Sequence, residues 1–329
     1  MAARYVGYKL VAGTSNPRLC QAIADYLHQP LCRWSTRRFT DGEIFVKGEE
    51  NMRGADVFVL QPTGPPVNDN LMELLIVIDA LKRASAERIT AVVPYYGYAR
   101  QEKKDAAREP ITARLVADMI EVAGADRLVT IDLHAGAIQG FFNIPIDHLT
   151  VLYMVADYFR SSSLEKSIVV APDTGRAKAA EKLADALDLP MAVLHKHRPR
   201  QQEAEVTHIA GELKGLRPIV FEDIVSTGGT LAAGIDAMLA AGCEPDIRIA
   251  VTHPLLTGNA IAKLDRPEVS ELVVTDTVPL TCEQRIEKIT VLSVASLLGE
   301  TIRRIHHGES VSALFDPHRG ANNPYPASL

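Results

Sequence analysis

At 329 residues the chain exceeds the usual size of a single domain, and its 47% hydrophobic and 23% charged residues are enough to build two cores with an ordinary polar surface. A formal net charge of -6 argues against nucleic acid or an anionic membrane as partner, while leaving room for a small anionic substrate held by a local basic site. Cys20, Cys32, Cys243 and Cys282 are widely spaced and form no CxxC or Cys/His cluster, the pattern of free thiols in a reducing compartment.

The N-terminal "MAARYVGYKLVAGTSNP" has no apolar core followed by a small-residue cleavage site. No run approaches the roughly 20 apolar residues of a membrane span, so a cytoplasmic protein is expected. In chain order, "VGYKLVAG" reads as a strand and "NPRLCQAIADYLHQ" as a helix. "RRFTDGEIFV", carrying Phe39, Asp41 and Glu43, reads in isolation as a surface hairpin. "ADVFVLQP", "NDNLMELLIVIDALKRAS" and "RITAVVPYY" continue as strand, helix and strand.

Next comes "ARQEKKDAAREP", with Arg100, Lys103, Lys104 and Arg108 among interleaved acids, leading to a helix begun by Pro110 and continued through "ITARLVADMIEVAG". Read alone it is a solvated charged loop, and a mobile basic loop is also what closes over a triphosphate to exclude water. The strand "DRLVTIDLH" ends in His134, which alone reads as a satisfied polar residue. The chain is expected to divide near "FFNIPIDHLTVLYMVADYFRSSSLEKS", giving domains 1–148 and 149–315 and a loosely ordered tail 316–329 rich in Pro, Gly and Asn.

In the second half "SIVVAPD" runs into Asp173, Thr174, Gly175 and Arg176, and "GRAKAAEKLADALD" follows as a helix. "MAVLHK" is a strand that ends in the basic turn of Lys196, His197 and Arg198. "PIVFEDI" ends in Glu222 and Asp223 and turns through Ser226, Thr227, Gly228, Gly229 and Thr230 into the helix "TLAAGIDAMLAAG". The glycines turn backbone N–H groups inward, the hydroxyls add donors, and the helix adds its positive end, which makes a phosphate cradle without the lysine of a Walker loop. The two acids suit sugar hydroxyls or a magnesium ion better than phosphate. Strands "DIRIAVTHP", "ELVVTD" and "KITVLSV" and the helix "ASLLGETIRRIHHG" complete the alternation, several helices ending in Gly. The rhythm predicts an α/β fold of two similar doubly wound domains, each a mostly parallel sheet flanked by helices.

"EDIVSTGGT" resembles the phosphoribosyl-diphosphate binding motif shared by phosphoribosyltransferases and ribose-phosphate pyrophosphokinases. "VVPYYGYARQEKKDAAREPITARLVADMI", "IDLHAGAIQGFFNIPIDHL", "RRFTDGEIFV" and "GESVSALF" resemble the pyrophosphokinases specifically, over residues from about 5 to 315. The resemblance implies two domains of phosphoribosyltransferase type. It implies transfer of the pyrophosphoryl group of Mg-ATP to the anomeric hydroxyl of ribose 5-phosphate, with AMP as the second product.

By the same resemblance, Ser226, Thr227, Gly228, Gly229 and Thr230 hold the 5-phosphate and Glu222 and Asp223 the ring hydroxyls. Asp173, Thr174, Gly175 and Arg176 form the pyrophosphate loop, with Arg176 where the family carries a second Gly; the arginine either restricts backbone approach or adds a charged clamp. Lys196 and Arg198 stabilise the transition state, and Ser226 stands where relatives often have Asp. Arg100, Gln101 and Glu102 (the usual Asp position) contact ATP, as do Phe39, Asp41 and Glu43 from a neighbouring subunit. His134, directly or through phosphates, and Asp173 belong to the magnesium site. Arg53, Ser310, Ser312 and Phe315 resemble the ADP and phosphate regulatory region of the phosphate-activated class, and a homo-oligomer, a hexamer built from dimers, is implied. The alternatives are a phosphoribosyltransferase or a non-catalytic regulatory subunit.

Overall fold

The computed structural model describes residues 7–200 and 203–315, the side chains of 196–200, 203–207, 313 and 315 excepted. The expected tail 316–329 therefore lies outside the described residues. The chain forms two compact units. The first runs through Thr150 and takes back Thr277–Pro279 and the segment from Ser293; the second comprises Val151–Asp276 and Leu280–Leu292.

The first unit contains β1 (Tyr8–Ala12), α1 (Pro17–Leu27), a hairpin of β2 (Trp34–Arg38) and β3 (Ile44–Gly48), β4 (Asp56–Leu60), α2 (Val67–Arg83), β5 (Arg88–Val93), α3 (Thr112–Ala123), β6 (Arg127–Ile131) and β7 (Ile146–Leu149). Its sheet is parallel throughout, in the order β1-β4-β5-β6-β7. Leu31 bridges Leu10 in parallel on the outer side of β1, so the chain winds outward after β1 and then in the opposite direction from β4. That reversal is what makes the sheet doubly wound.

Side chains alternate across this sheet with the period of a strand. Val11, Val57, Val59, Ile89, Ala91 and Val93 face a core completed by α2 and α3. Tyr8 and Phe58 lie on the alternate positions, ring edge to ring face, and Tyr8 meets His306 with ring centroids 4.8 Å apart. The crevice at the winding reversal is filled from within. Glu73 accepts from the Thr14 backbone and hydroxyl, and Gln61 from the Ser15 backbone and hydroxyl; both acceptor side chains are buried.

The second unit contains α4 (Leu152–Arg160), β8 (Ser167–Ala171), α5 (Ala177–Leu187), β9 (Met191–Arg200), β10 (Glu203–Ala210), β11 (Arg217–Val225), α6 (Gly229–Ala240), β12 (Ile247–Pro254), α7 (Ala260–Leu264), β13 (Val269–Thr275) and β14 (Ile289–Leu292). Its sheet order is β10-β9-β8-β11-β12-β13-β14, with β9 and β10 the antiparallel pair. β8 and β12 are buried along their whole length, as parallel strands covered on both faces must be. The reversal of winding falls between β8 and β11.

All ten expected strands and all six expected helices are present. α3 begins at Thr112, two residues beyond the expected Pro110. β7, β10, α4 and α7 were not expected. The linear boundary at 148/149 nearly coincides with the change of unit at Thr150 and Val151, but the C-terminal end of the expected 149–315 domain differs. The final helix α8 (Ala295–His307) belongs to the first unit, packed on α1 so closely that a Cβ on Gly299 would stand 2.3 Å from the Tyr26 ring. A charge contact explains the return: Asp56 on β4 accepts from Arg88 on β5 and lies 2.8 Å from His306 Nδ1. Among the described residues no helix is long and apolar enough to cross a membrane.

Candidate active site

The carboxyl ends of β8 and β11 flank the winding reversal of the second unit, the address at which open α/β sheets hold ligands. After β8, Asp173 is extended and a single 3-10 turn, Thr174–Arg176, leads into α5. Asp173 Oδ1 accepts from the Arg176 backbone N–H at 3.1 Å, which fixes the turn. On the neighbouring strand β11, Glu222 and Asp223 are buried three and two residues before its last residue, Val225. The two loops meet through Arg176. Its guanidinium donates to Asp223 Oδ2 at 2.5 Å, and its Nε lies 3.4 Å from Glu222 Oε1. The expected pyrophosphate loop and the expected ribose acids are thus brought together, by the very residue that departs from the family pattern.

β11 then turns through Ser226 and Thr227 to Gly228, whose φ of 70° lies in the left-handed region. A Cβ there would meet the backbone of Ala260 at 3.4 Å, an ordinary contact, so it is the conformation that calls for glycine. α6 starts at Gly229 with no side-chain cap, and its first-turn N–H groups carry the positive end of the helix towards an incoming anion. Ser226 and Thr257 hydroxyls are 3.0 Å apart, and Lys263 of α7 donates to the Thr227 carbonyl at 3.1 Å. The sequence reading marked neither Thr257 nor Lys263. Both follow β12, outside any motif, and the signal that could have found Lys263 is a cation just beyond the carboxyl end of a neighbouring strand.

Burial first, and then the adjacent charge of Asp223, push the Glu222 carboxyl well above its ordinary range against the opposing pull of Arg176. A raised value means the folded chain holds this proton more tightly than the unfolded chain. The contribution to stability is therefore complete below the ordinary value of 4.5 and is lost as pH rises through the raised value. Glu222→Gln, neutral at every pH, should flatten the fall of Tm above pH 4.5. Thermal unfolding of both proteins across that range checks this, and parallel curves would contradict it.

In the first unit, the segment after β5 turns at Tyr98, whose φ is 65°. Arg100 is exposed, while Gln101 is tied to the start of α3: its side-chain oxygen accepts from Thr112 at 2.6 Å and its carbonyl from the Ala113 N–H. Glu102 is half-buried beside Lys103, at 3.5 Å. The basic loop closes on itself where Glu109 accepts from the Asp105 and Ala106 backbones. His134 follows a turn in which Asp132 has a φ of 36° and the Leu133 N–H donates to His148. His134 itself is half-buried.

The β2–β3 hairpin carries Phe39, Asp41 and Glu43 at its tip, and Phe39 is 45% exposed. The first turn of α2 ties two expected ATP segments together: Asp69 pairs with Arg38 of the hairpin at 3.1 Å, and Asn68 accepts from the Tyr98 hydroxyl. Arg53, Ser310 and Ser312 are exposed and all belong to the first unit. The Phe315 side chain lies outside the described residues. Lys196 and Arg198 are on β9, with the Lys196 backbone opposite Val206, and their side chains also lie outside the described residues.

No three His, Cys, Asp or Glu side chains among the described residues gather as a metal cage. Magnesium usually takes one or two carboxylates plus substrate phosphates, and Asp173, at a strand end with one oxygen on its own loop, suits that partial share.

The comparisons with known proteins agree over most of the chain. The profile of the N-terminal domain of ribose phosphate pyrophosphokinase matches residues 8–124, and that of the phosphoribosyl synthetase-associated domain matches 199–316. The ribose-phosphate pyrophosphokinase of Bacillus caldolyticus is 49% identical over 308 residues, 94% of this chain and 98% of its own. That of Maricaulis maris is 51% identical over 310 residues, 94% of this chain and 100% of its own. The crystal structure of phosphoribosylpyrophosphate synthetase from Mycobacterium smegmatis, 42% identical, superposes with a TM-score of 0.86 over 92% of this chain and 99% of that one.

Proposed function

The chain belongs to the ribose-phosphate pyrophosphokinase family, and from that membership we propose how its residues divide the work. The reaction is transfer of the pyrophosphoryl group of ATP to the anomeric hydroxyl of ribose 5-phosphate, giving 5-phosphoribosyl 1-pyrophosphate and AMP. One observation carries the assignment of the sugar site: the loop after β8 and the acids of β11 meet at the winding reversal, beside a glycine-opened helix N-terminus.

In this reading the Ser226–Thr230 loop takes the 5-phosphate on its N–H groups and hydroxyls, and Asp223 and Glu222 accept from the ring hydroxyls. That grip leaves only the anomeric hydroxyl to react, so orientation supplies much of the rate. The Asp173–Arg176 loop receives the diphosphate, and Lys196 and Arg198 offset the negative charge that shifts as the bond to AMP breaks. Asp173 and His134 are the residues assigned to magnesium. When bound, the ion neutralises phosphate charge. Arg100, Gln101 and Glu102 bind ATP, and closure of the basic loop excludes water that would hydrolyse it.

Phe39, Asp41 and Glu43 complete the nucleotide site of a neighbouring copy, which makes the active form a homo-oligomer, a hexamer built from dimers; the exposed Phe39 ring at a hairpin tip supports this. Arg53, Ser310, Ser312 and Phe315 form the site for ADP inhibition and phosphate activation. The protein works in the cytoplasm, in nucleotide biosynthesis.

Phosphorus NMR of the protein with ribose 5-phosphate, ATP and magnesium tests the reaction. AMP appearing together with a sugar-linked diphosphate is expected. ADP as the nucleotide product would mean single phosphoryl transfer and would overturn the mechanism.

A further inference from the structure

Arg176 is the residue that neither the motif nor the proposed roles of its neighbours account for. The sequence reading left two alternatives, obstruction of the diphosphate loop or a clamp upon it. The side chain turns instead to the acids of β11. Its guanidinium lies across the acid pair, Nε at 3.4 Å from Glu222 and the terminal nitrogen at 2.5 Å from Asp223. All three groups are withdrawn from solvent: the side chains of Arg176, Glu222 and Asp223 are 17%, 9% and 4% exposed.

Sugar hydroxyls and a guanidinium are both donors, and they need the same carboxylate oxygens. Charge-assisted bonds from the arginine outrank those from a neutral hydroxyl. We infer that Arg176 is a two-position residue: it guards the ribose acids in the absence of substrate, and ribose 5-phosphate displaces it onto the diphosphate. This rests on the assignment of Glu222 and Asp223 to the ribose.

Two further features support the second position. The arginine ends the Thr174–Arg176 turn, adjacent to Gly175, so a released guanidinium stays on the loop assigned to the diphosphate. The turn itself is anchored independently by the Asp173 carboxylate, which accepts from the Arg176 backbone, so the side chain can swing without unmaking the loop. Sugar arrival thereby delivers a cation at the place where anionic charge is transferred. The arginine also sets a positive charge against the two buried carboxylates.

The test uses the full chain with Arg176→Gly, the residue at this position in the family pattern, and Arg176→Met, which keeps the stem without the charge. Ribose 5-phosphate binding is measured by calorimetry without nucleotide, and kcat and KM separately. If the guard is closed about nine-tenths of the time, apparent affinity is reduced about tenfold, so both variants should bind the sugar about tenfold more tightly. Their kcat should fall, because the cation on the diphosphate is lost.

A merely structural arginine would move sugar affinity downward or not at all. Unchanged or weaker binding in both variants, with binding lost in Asp223→Asn, overturns the guard alone. Tighter binding with unchanged kcat removes the second position. Full sugar affinity in Asp223→Asn overturns the ribose assignment itself, and the inference with it.

Discussion

Replacing Lys196 by alanine lowers kcat by about two to three orders of magnitude and leaves the affinity for ribose 5-phosphate nearly unchanged, the size of effect seen when one preorganised donor to a developing charge is removed. The expectation follows from the chemistry of the transfer. In the proposed division of roles the sugar phosphate is held by the Ser226–Thr230 loop and the acid pair, on a strand two places from β9 in the sheet order, so the ground state of the bound sugar should not need Lys196. The transferring group does, because negative charge moves onto the leaving oxygen and the equatorial oxygens as the bond to AMP breaks.

The backbone of Lys196 lies in the β9–β10 ladder, opposite Val206. Lys196→Arg, cationic but longer and planar, should recover part of the loss. Single-turnover rates beside calorimetric sugar binding separate the two quantities. Turnover close to normal in Lys196→Ala would remove the transition-state role. A parallel loss of kcat and sugar affinity would instead assign the residue to binding.

Much of the fold was legible because parallel α/β sheets write themselves as buried β-branched runs alternating with amphipathic helices. β8 and β12 are wholly buried and correspond to "SIVVA" and "IRIAVTHP", rich in β-branched residues. The elements that escaped lack that signature. β7, "IDHL", is a four-residue edge strand with two polar residues, and β10, "EAEVTHIA", pairs only with β9 at the sheet edge and carries charge. α4 sat inside the segment expected to join the halves, and its amphipathic pattern was absorbed into the linker. Long-range facts leave no local trace at all. Nothing near His306 announces a contact with Asp56, 250 residues earlier, and it is that contact which returns α8 to the first unit. The site shows the same division. The turn at Gly228 into α6 was legible from its glycines; the place where Arg176 puts its charge depends on two strands meeting at a winding reversal.

That long-range contact supports the largest effect on stability. Asp56 is fully buried on β4, and three groups converge on its carboxylate: Arg88 Nε donates at 2.7 Å, a second Arg88 nitrogen donates to the other oxygen, and His306 Nδ1 lies 2.8 Å away. Arg88 also donates to the Ile305 carbonyl at 3.2 Å, so one guanidinium binds a strand neighbour and the last turn of α8 together. Truncating Asp56 to alanine leaves that guanidinium near the core without its counter-ion, and breaking such a pair costs about 3–5 kcal/mol. At the lower figure, about 3 kcal/mol, Tm should fall by roughly 6–12 °C. The loss should come first at α8, because the remainder of the sheet keeps its ladder while the helix loses its polar anchor; amide exchange along 295–307 should rise before that of β4 and β5.

Replacing both partners, Asp56→Leu with Arg88→Met, removes the charge rather than stranding it and should recover much of the stability, since apolar replacements of a buried pair are often neutral. Equal losses in the single and double variants would mean that packing, not pairing, holds the helix. Because Ser310 and Ser312, assigned above to the proposed ADP site, lie a few residues beyond α8, release of the helix should also blunt any response to ADP in Asp56→Ala at temperatures below unfolding. A normal ADP response with an exchanging helix would separate regulation from this anchor.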